Sequence, residues 1–95
     1  KKLSNIAKVE NFKSSKSGQP IANQFIITLQ NGIEVFQSYN SIIAVKANNE
    51  TYLDQNRWNY SRTTSRYRNQ FLNETTVETV KKIGFGNYTM VDLNK

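Results

Sequence analysis

The feature that most constrains the fold of this chain is the dipeptide Asn31-Gly32, which separates two runs of β-branched and aromatic residues. The runs are 25–30 (FIITLQ) and 33–39 (IEVFQSY). Asn-Gly readily adopts the two positive φ angles of a type I′ turn, so the pattern predicts a β-hairpin with a two-residue loop. In that register, Ile27 pairs with Phe36.

Both faces of the predicted hairpin are substantially apolar. One face carries Phe25, Ile27 and Phe36, and the other carries Ile26 and Val35. A sheet of this kind needs cover on two sides. We therefore expect helices, or a second copy of the chain in a homodimer, to pack against it.

Further strands are predicted on either side of this hairpin. Residues 41–47 and 51–53 predict a second hairpin, and the two hairpins give an antiparallel meander of four strands by residue 54. Residues 6–12 are compatible with a further strand at the start of the chain. Residues 88–93 alternate like a final strand. Nothing divides the chain, so 1–95 is predicted to form a single domain, with 1–5 as a flexible arm.

Two short helices are predicted between the meander and the final strand. Residues 61–72 contain no Gly or Pro, and Thr64, Tyr67 and Phe71 fall on one helical stripe. Residues 75–78 (TTVE) match the capping box, which predicts a second helix ending near residue 83 with Gly84 as its left-handed C′ residue. The predicted fold class is α+β: an antiparallel sheet of four to five strands, two short helices and a C-terminal strand.

The composition argues against the common classes of enzyme and metal protein. The chain has no histidine and no cysteine, and its 7 acidic residues are scattered. We therefore predict that it is not an enzyme, and that it has no metal site and no cofactor. No apolar run is long enough to cross a membrane, and no secretion signal is evident, so a cytoplasmic protein is expected.

Positive charge is concentrated in one segment. The formal net charge is +6, and all four arginines lie within residues 57–68, beside aromatic side chains. Arginine binds phosphate bidentately and aromatic rings can stack on bases, so the segment predicts nucleic-acid binding, to DNA or RNA. The candidate contact residues are Arg57, Arg62, Arg66, Arg68, Trp58, Tyr60, Tyr67, Asn69 and Gln70.

A second interpretation of this segment needs no ligand. Trp58 and Tyr60 could be core residues where a strand leads into a helix, with arginines covering their apolar surfaces. A further basic group could extend the surface, although a flexible N-terminal arm accounts for it better. That group comprises Lys1, Lys2, Lys8, Lys13 and Lys16.

Several stretches resemble small uncharacterised proteins encoded by phages and plasmids of Gram-positive bacteria. They are 36–44 (FQSYNSIIA), 58–61 (WNYS), 63–64 (TT) and 67–72 (YRNQFL), and the likeness continues through 74–93. The resemblance implies a setting in the cytoplasm of a host bacterial cell. It implies no particular activity or site residues.

Two functions follow from these observations. The first is a small non-enzymatic nucleic-acid-binding accessory protein that contacts phosphates through the Arg/Tyr-rich segment. The alternative is a protein-interaction module that inhibits or modulates a host enzyme or defence factor, because Arg, Tyr and Trp are also enriched at protein interfaces.

Overall fold

A six-stranded sheet and two helices make up the part of the chain, residues 6–95, that the computed structural model describes. The elements are β1 (Ile6–Lys13), β2 (Pro20–Leu29), β3 (Glu34–Ser38), β4 (Ser41–Ala47), β5 (Glu50–Asp54), α1 (Arg62–Leu72), α2 (Thr76–Gly84) and β6 (Tyr88–Val91). The predicted α+β class is confirmed. The proposed arm at 1–5 lies outside the described residues.

The strands follow one another across the sheet in chain order. Strands β1 to β5 form an antiparallel meander, and β6 adds to β5 in parallel. Parallel neighbours cannot be joined by a tight turn, which is why α1 and α2 lie between β5 and β6. The meander has five strands by residue 54, one more than the two predicted hairpins supply, because the possible strand near 6–12 forms and pairs with a long β2 that begins at Pro20.

The predicted two-residue loop at Asn31-Gly32 is wrong by one residue. The Leu29 N–H donates to the Ile33 carbonyl at 2.8 Å, and the Gly32 N–H donates to the Leu29 carbonyl at 3.0 Å. Gly32 has a φ of 89°, while the Asn31 side chain accepts from the Ile33 N–H at 3.2 Å. The result is a three-residue loop that ends in a left-handed glycine.

This shift changes which side chains of β2 share a face with those of β3, because side chains alternate along a strand. Ile26 rather than Ile27 pairs with Phe36, which is fully buried. Ile27 pairs with Val35 on the other face.

The core lies between α1 and one face of the sheet. The Phe12 ring contacts Phe36 edge-to-face at 5.2 Å between centroids, and Tyr67 at 5.4 Å. Phe71 lies 5.9 Å from Phe36. Thr64 is buried beside them, so the predicted inward stripe of this helix is confirmed.

The helix ends follow the predicted capping chemistry with one exception. Thr75 and Glu78 form the capping box that begins α2, as predicted. The prediction that Gly84 is the left-handed residue after α2 is wrong, because Gly84 is the last residue of the helix and Phe85 is its C-cap. The positive φ, 78°, occurs at Gly86. Within residues 6–95, neither helix is long and apolar enough to cross a membrane.

Candidate nucleic-acid interface

Helix α1 exposes two arginines to solvent because its opposite side packs in the core. Ser61 begins the helix by accepting a hydrogen bond from the Thr64 N–H at 3.0 Å. With this start fixed, Arg62 and Arg66 lie one turn apart on the exposed side. Both were candidate contact residues in the sequence.

The loop between β1 and β2 lies beside this helix and forms a cleft with it. The cleft has a volume of about 460 Å³ and is called the basic cleft below. Its lining residues are Lys13, Ser14, Ser15, Lys16, Arg66, Tyr67 and Gln70. Among the described residues that line it there are three cationic groups and no carboxylate. Such a concave site favours an anion.

Hydrogen bonds within the loop hold its residues in place. The Ser14 N–H donates to the Gln19 carbonyl at 2.8 Å, and the Gly18 N–H donates to the Ser14 carbonyl at 2.9 Å. The Ser14 hydroxyl accepts from the backbone N–H groups of Lys16 and Ser17 at 3.2 and 3.3 Å. The positions of the two lysines along the backbone are therefore set by a closed turn.

A second pocket opens next to the basic cleft, between the start of β2 and the first turn of α1. Its volume is about 360 Å³, and it is called the side pocket below. It is lined by Ile21, Ala22, Gln24, Tyr39, Arg62, Thr63, Arg66 and Tyr67. Arg66 and Tyr67 line both cavities, so the basic cleft and the side pocket share a wall.

Arg68 does not lie on this surface. Its guanidinium is fully buried and donates to the Trp58 carbonyl at 2.7 Å and to Asn59 Oδ1 at 2.9 Å. The other terminal nitrogen donates to Asn69 Oδ1 at 2.8 Å and to Thr76 Oγ1 at 2.9 Å. Burial lowers the pKa of Arg68, and the nearby charge of Glu74 opposes this effect. Arg68 joins the loop before α1 to the start of α2, and because the residue is fully buried its guanidinium does not reach a phosphate at the surface.

The two aromatic residues before α1 have different environments. Trp58 is half-buried against the core, and the Arg68 guanidinium carbon lies 5.1 Å from its ring centroid. This is the packing arrangement considered as the second interpretation of the sequence. Tyr60, in contrast, is 52% exposed. Arg57 is half-buried, and its backbone N–H donates to the Asp54 carbonyl at 3.3 Å.

The remaining candidate residues divide between the cleft and the interior. Gln70 is exposed and lines the basic cleft, as does the edge of the mostly buried Tyr67. Asn69 is engaged with Arg68 and also donates to Thr76 Oγ1 at 3.2 Å. The structure therefore brings Arg62, Arg66, Tyr67 and Gln70 together and separates them from Arg68 and Asn69.

Sequence reasoning favoured a flexible arm for Lys13 and Lys16, but both line the basic cleft beside α1. Lys8 belongs to β1 and pairs with Glu10 at 3.3 Å, while Lys1 and Lys2 lie outside the described residues. The turn-forming residues of 13–20 were a signal for a hairpin loop. The side of the sheet on which that loop lies could not be read without the pairing of β1 with β2.

The acidic groups near the Arg/Tyr-rich segment are held inside the fold. Burial raises the pKa of Glu74, but hydrogen bonds from Lys82, Thr79 and Tyr88 outweigh it and bring the pKa below its usual value. Those bonds measure 2.8, 2.6 and 2.8 Å. The negative charge of Glu74 is therefore stabilised locally. In the part of the chain that the structure describes, no cluster of His, Cys, Asp and Glu could hold a metal ion.

One comparison with known proteins gives a match. A family described as a family of unknown function (DUF8033) matches residues 7–87, a range that contains both helices and the lining residues of the basic cleft and the side pocket. No curated protein and no solved structure matches the chain.

Proposed function

Since the chain belongs to the DUF8033 family of unknown function, we propose from its surface chemistry that it binds nucleic acid through phosphates held in the basic cleft. The observation that supports this proposal is the convergence of Lys13 at the end of β1, Lys16 in the loop that follows it and Arg66 from α1. Arg62, one turn away, extends the positive surface. A cavity lined by cations from separate elements attracts a polyanion more strongly than the same charges scattered over the surface do.

Arginine and lysine have complementary roles at such a surface. Arg62 and Arg66 offer planar forks that fit phosphate oxygens bidentately, whereas Lys13 and Lys16 act as point charges. Each neutralised phosphate releases counterions. With four phosphate contacts, the slope of log affinity against log salt is expected to be about −3.

Removing the two exposed arginines tests the proposal. The double variant Arg62→Ala/Arg66→Ala is expected to bind nucleic acid roughly tenfold or more weakly across sequences, and to lower the salt slope by about 1 to 2. The reason is that both groups contact phosphate rather than base edges. Fluorescence anisotropy titrations at several salt concentrations measure both quantities.

The matched control removes the same charge at a distance from the cleft. Lys81→Ala/Lys95→Ala changes two exposed residues that line neither cavity. If the arginine variant binds as tightly as the parent, or if the control loses as much affinity as the arginine variant, the basic cleft is not the binding surface.

The biological setting is also a proposal. The resemblance to small phage and plasmid proteins of Gram-positive bacteria supports a non-enzymatic accessory protein in the cytoplasm of a host cell. Nucleic acid introduced by the phage or plasmid is present there.

A second candidate function is protein contact through the face of the sheet opposite the helices, called the open face below. A row of paired side chains crosses it: Val9, Ile27, Val35, Val45 and Tyr52. A neighbouring row contains Phe25, Gln37 and Ile42. Both helices pack on the other face, so no helix among residues 6–95 covers these largely apolar rows.

A second copy of the chain is the occupant that fits the open face best. Among the described residues of these two rows none is charged, whereas the basic cleft lies on the helix side. Two copies with a charge of +6 each could therefore meet without bringing their cations together. Strands spaced about 4.8 Å apart give a patch roughly 25 by 20 Å, and pairing two patches buries on the order of 1,000 Å², the lower limit for a specific interface.

A lysine placed in the centre of the open face should prevent this pairing. Val35→Lys is expected to convert a dimer into a single chain at high protein concentration, because the charge would be desolvated in the interface. Sedimentation equilibrium measures the mass. The control Val77→Lys alters a valine on α2 that is 64% exposed. A parent protein with the mass of one chain contradicts the homodimer and favours a host protein at this face; dissociation by Val77→Lys alone would assign the contact to α2.

A further inference from the structure

The side pocket adjoins the basic cleft, close enough for a nucleotide with its phosphate in the cleft to reach it. Arg66 and Tyr67 form the shared wall, so a phosphate held by Arg66 and Lys13 would have its next chemical groups at the pocket mouth. The pocket volume of about 360 Å³ is within the range of small-molecule sites. Its lining includes the apolar residues Ile21 and Ala22 and the aromatic residue Tyr39.

Tyr39 has an unusual backbone conformation for its residue type. Its φ is 55°, in the left-handed region that glycine and asparagine normally occupy. The Tyr39 N–H donates to the Asn23 carbonyl at 2.7 Å, and the Gln37 side-chain amide donates to the Tyr39 carbonyl at 2.7 Å. These bonds hold the turn while the side chain remains 55% exposed. Locked, unfavourable conformations of this kind cluster at binding sites.

Gln24 provides a second, independent observation at the same pocket. It is only 1% exposed, and its Oε1 has no hydrogen-bond partner among residues 6–95. A buried amide oxygen without a partner is costly and is rare in native structures. Gln24 lines the side pocket, and a rotation of its side-chain amide would turn this oxygen toward a ligand with N–H donors. Nucleobase edges carry such donors, and glutamine is a common partner for them.

We propose that the side pocket receives an unstacked nucleobase against the Tyr39 ring, and that the chain therefore prefers single-stranded nucleic acid to duplex. The inference rests on the proposed function, because the phosphate in the basic cleft positions the base. Stacking on an aromatic ring accepts any base, whereas bases within a duplex are already stacked on their neighbours. A duplex could contact the basic cleft but could not fill the side pocket without losing a base pair.

Substitutions at Tyr39 separate the ring from the backbone. Tyr39→Asn removes the ring but keeps a residue that tolerates the left-handed conformation, and Tyr39→Phe keeps the ring. The probes are labelled oligothymidine, labelled oligoadenine and the duplex formed by the two, titrated by anisotropy at one fixed salt concentration. The parent is expected to bind the single strands at least about tenfold more tightly than the duplex. Tyr39→Asn should weaken single-strand binding by about fivefold to a hundredfold, with duplex binding unchanged and Tyr39→Phe close to the parent.

The outcomes distinguish this inference from the proposed function. Equal affinity for strand and duplex, or full single-strand affinity in Tyr39→Asn, overturns the base pocket. The phosphate-binding function would still stand if Arg62→Ala/Arg66→Ala weakens that binding. The absence of binding to all three probes at near-physiological salt overturns both.

Discussion

Replacing Arg68 by methionine is expected to lower the melting temperature by about 15 °C or more, the largest loss of stability among the variants considered for this protein. The buried guanidinium makes four hydrogen bonds, to Trp58, Asn59, Asn69 and Thr76. Methionine fills similar space but donates none of them. The four acceptors would then lose their bonds to the guanidinium. We therefore expect the free energy of unfolding to fall by about 3 to 5 kcal/mol.

Thermal unfolding followed by circular dichroism measures this effect. Arg66→Met is the matched control, because it makes the same change two residues away on the exposed side of α1. Its melting temperature should stay within a few degrees of the parent. Arg68→Lys should also be strongly destabilised, since one ammonium group cannot reproduce a planar fork. Equal melting temperatures for Arg68→Met and Arg66→Met would show that the buried network contributes little.

The second large effect is expected at Asp54, which links the end of β5 to the C-terminal segment. The buried carboxylate accepts from the backbone N–H groups of Leu93 at 2.8 Å and Asn56 at 3.1 Å. Asp54→Asn keeps the shape of the side chain but removes its charge. It also places an amide N–H donor next to the backbone N–H donors of Leu93 and Asn56. A loss of about 2 to 3 kcal/mol at neutral pH is expected, measured by urea unfolding.

The same variant should change how stability depends on pH. Burial raises the pKa of Asp54, but hydrogen bonds from Leu93, Asn94 and Asn56 together bring it below the ordinary value of 3.8. The unfolded chain then binds the proton first as pH falls. The stabilisation is therefore present above that value and is lost as pH falls through the lower pKa of the folded state.

Urea midpoints recorded from neutral to acidic pH test this dependence. The parent should lose more stability than Asp54→Asn over the acidic part of the range. Glu74, whose pKa is also lowered, contributes equally to the pH dependence of stability in both proteins. Glu50→Gln is the control, because it neutralises an exposed carboxylate. A parent and an Asp54→Asn variant with parallel pH curves would contradict the assigned role of the carboxylate.

Local chemistry in the sequence was sufficient to predict the existence of the main elements. The Asn31-Gly32 hairpin, the capping box at Thr75 and the inward stripe of α1 depend on residues near one another in the chain. The hairpin register was missed because the Asn31 side chain bonds to the Ile33 N–H and lengthens the loop by one residue. The parallel pairing of β6 depends on the path of two helices, which no local pattern specifies.

The candidate site was harder to predict for a different reason. In α1, position 68 lies on the same side as Thr64, Tyr67 and Phe71, so the helical period alone would have indicated an inward position for Arg68. Arginine is rarely buried unless it is paired, which favoured a surface role. Most of its acceptors belong to residues that precede or follow α1 in the chain, and only folding brings them together. Tyr39 and Gln24 likewise come near Arg66 only through the sheet.

The basic cleft and the open face lie on opposite sides of the molecule, with the sheet between them. If two copies join through their open faces, their clefts point away from each other. Such a pair cannot hold one short strand with both clefts at once, but it can cross-link two strands, or two distant parts of one long strand. Near equal amounts of protein and long nucleic acid, this arrangement would produce networks that scatter light, whereas single chains would only coat the strand.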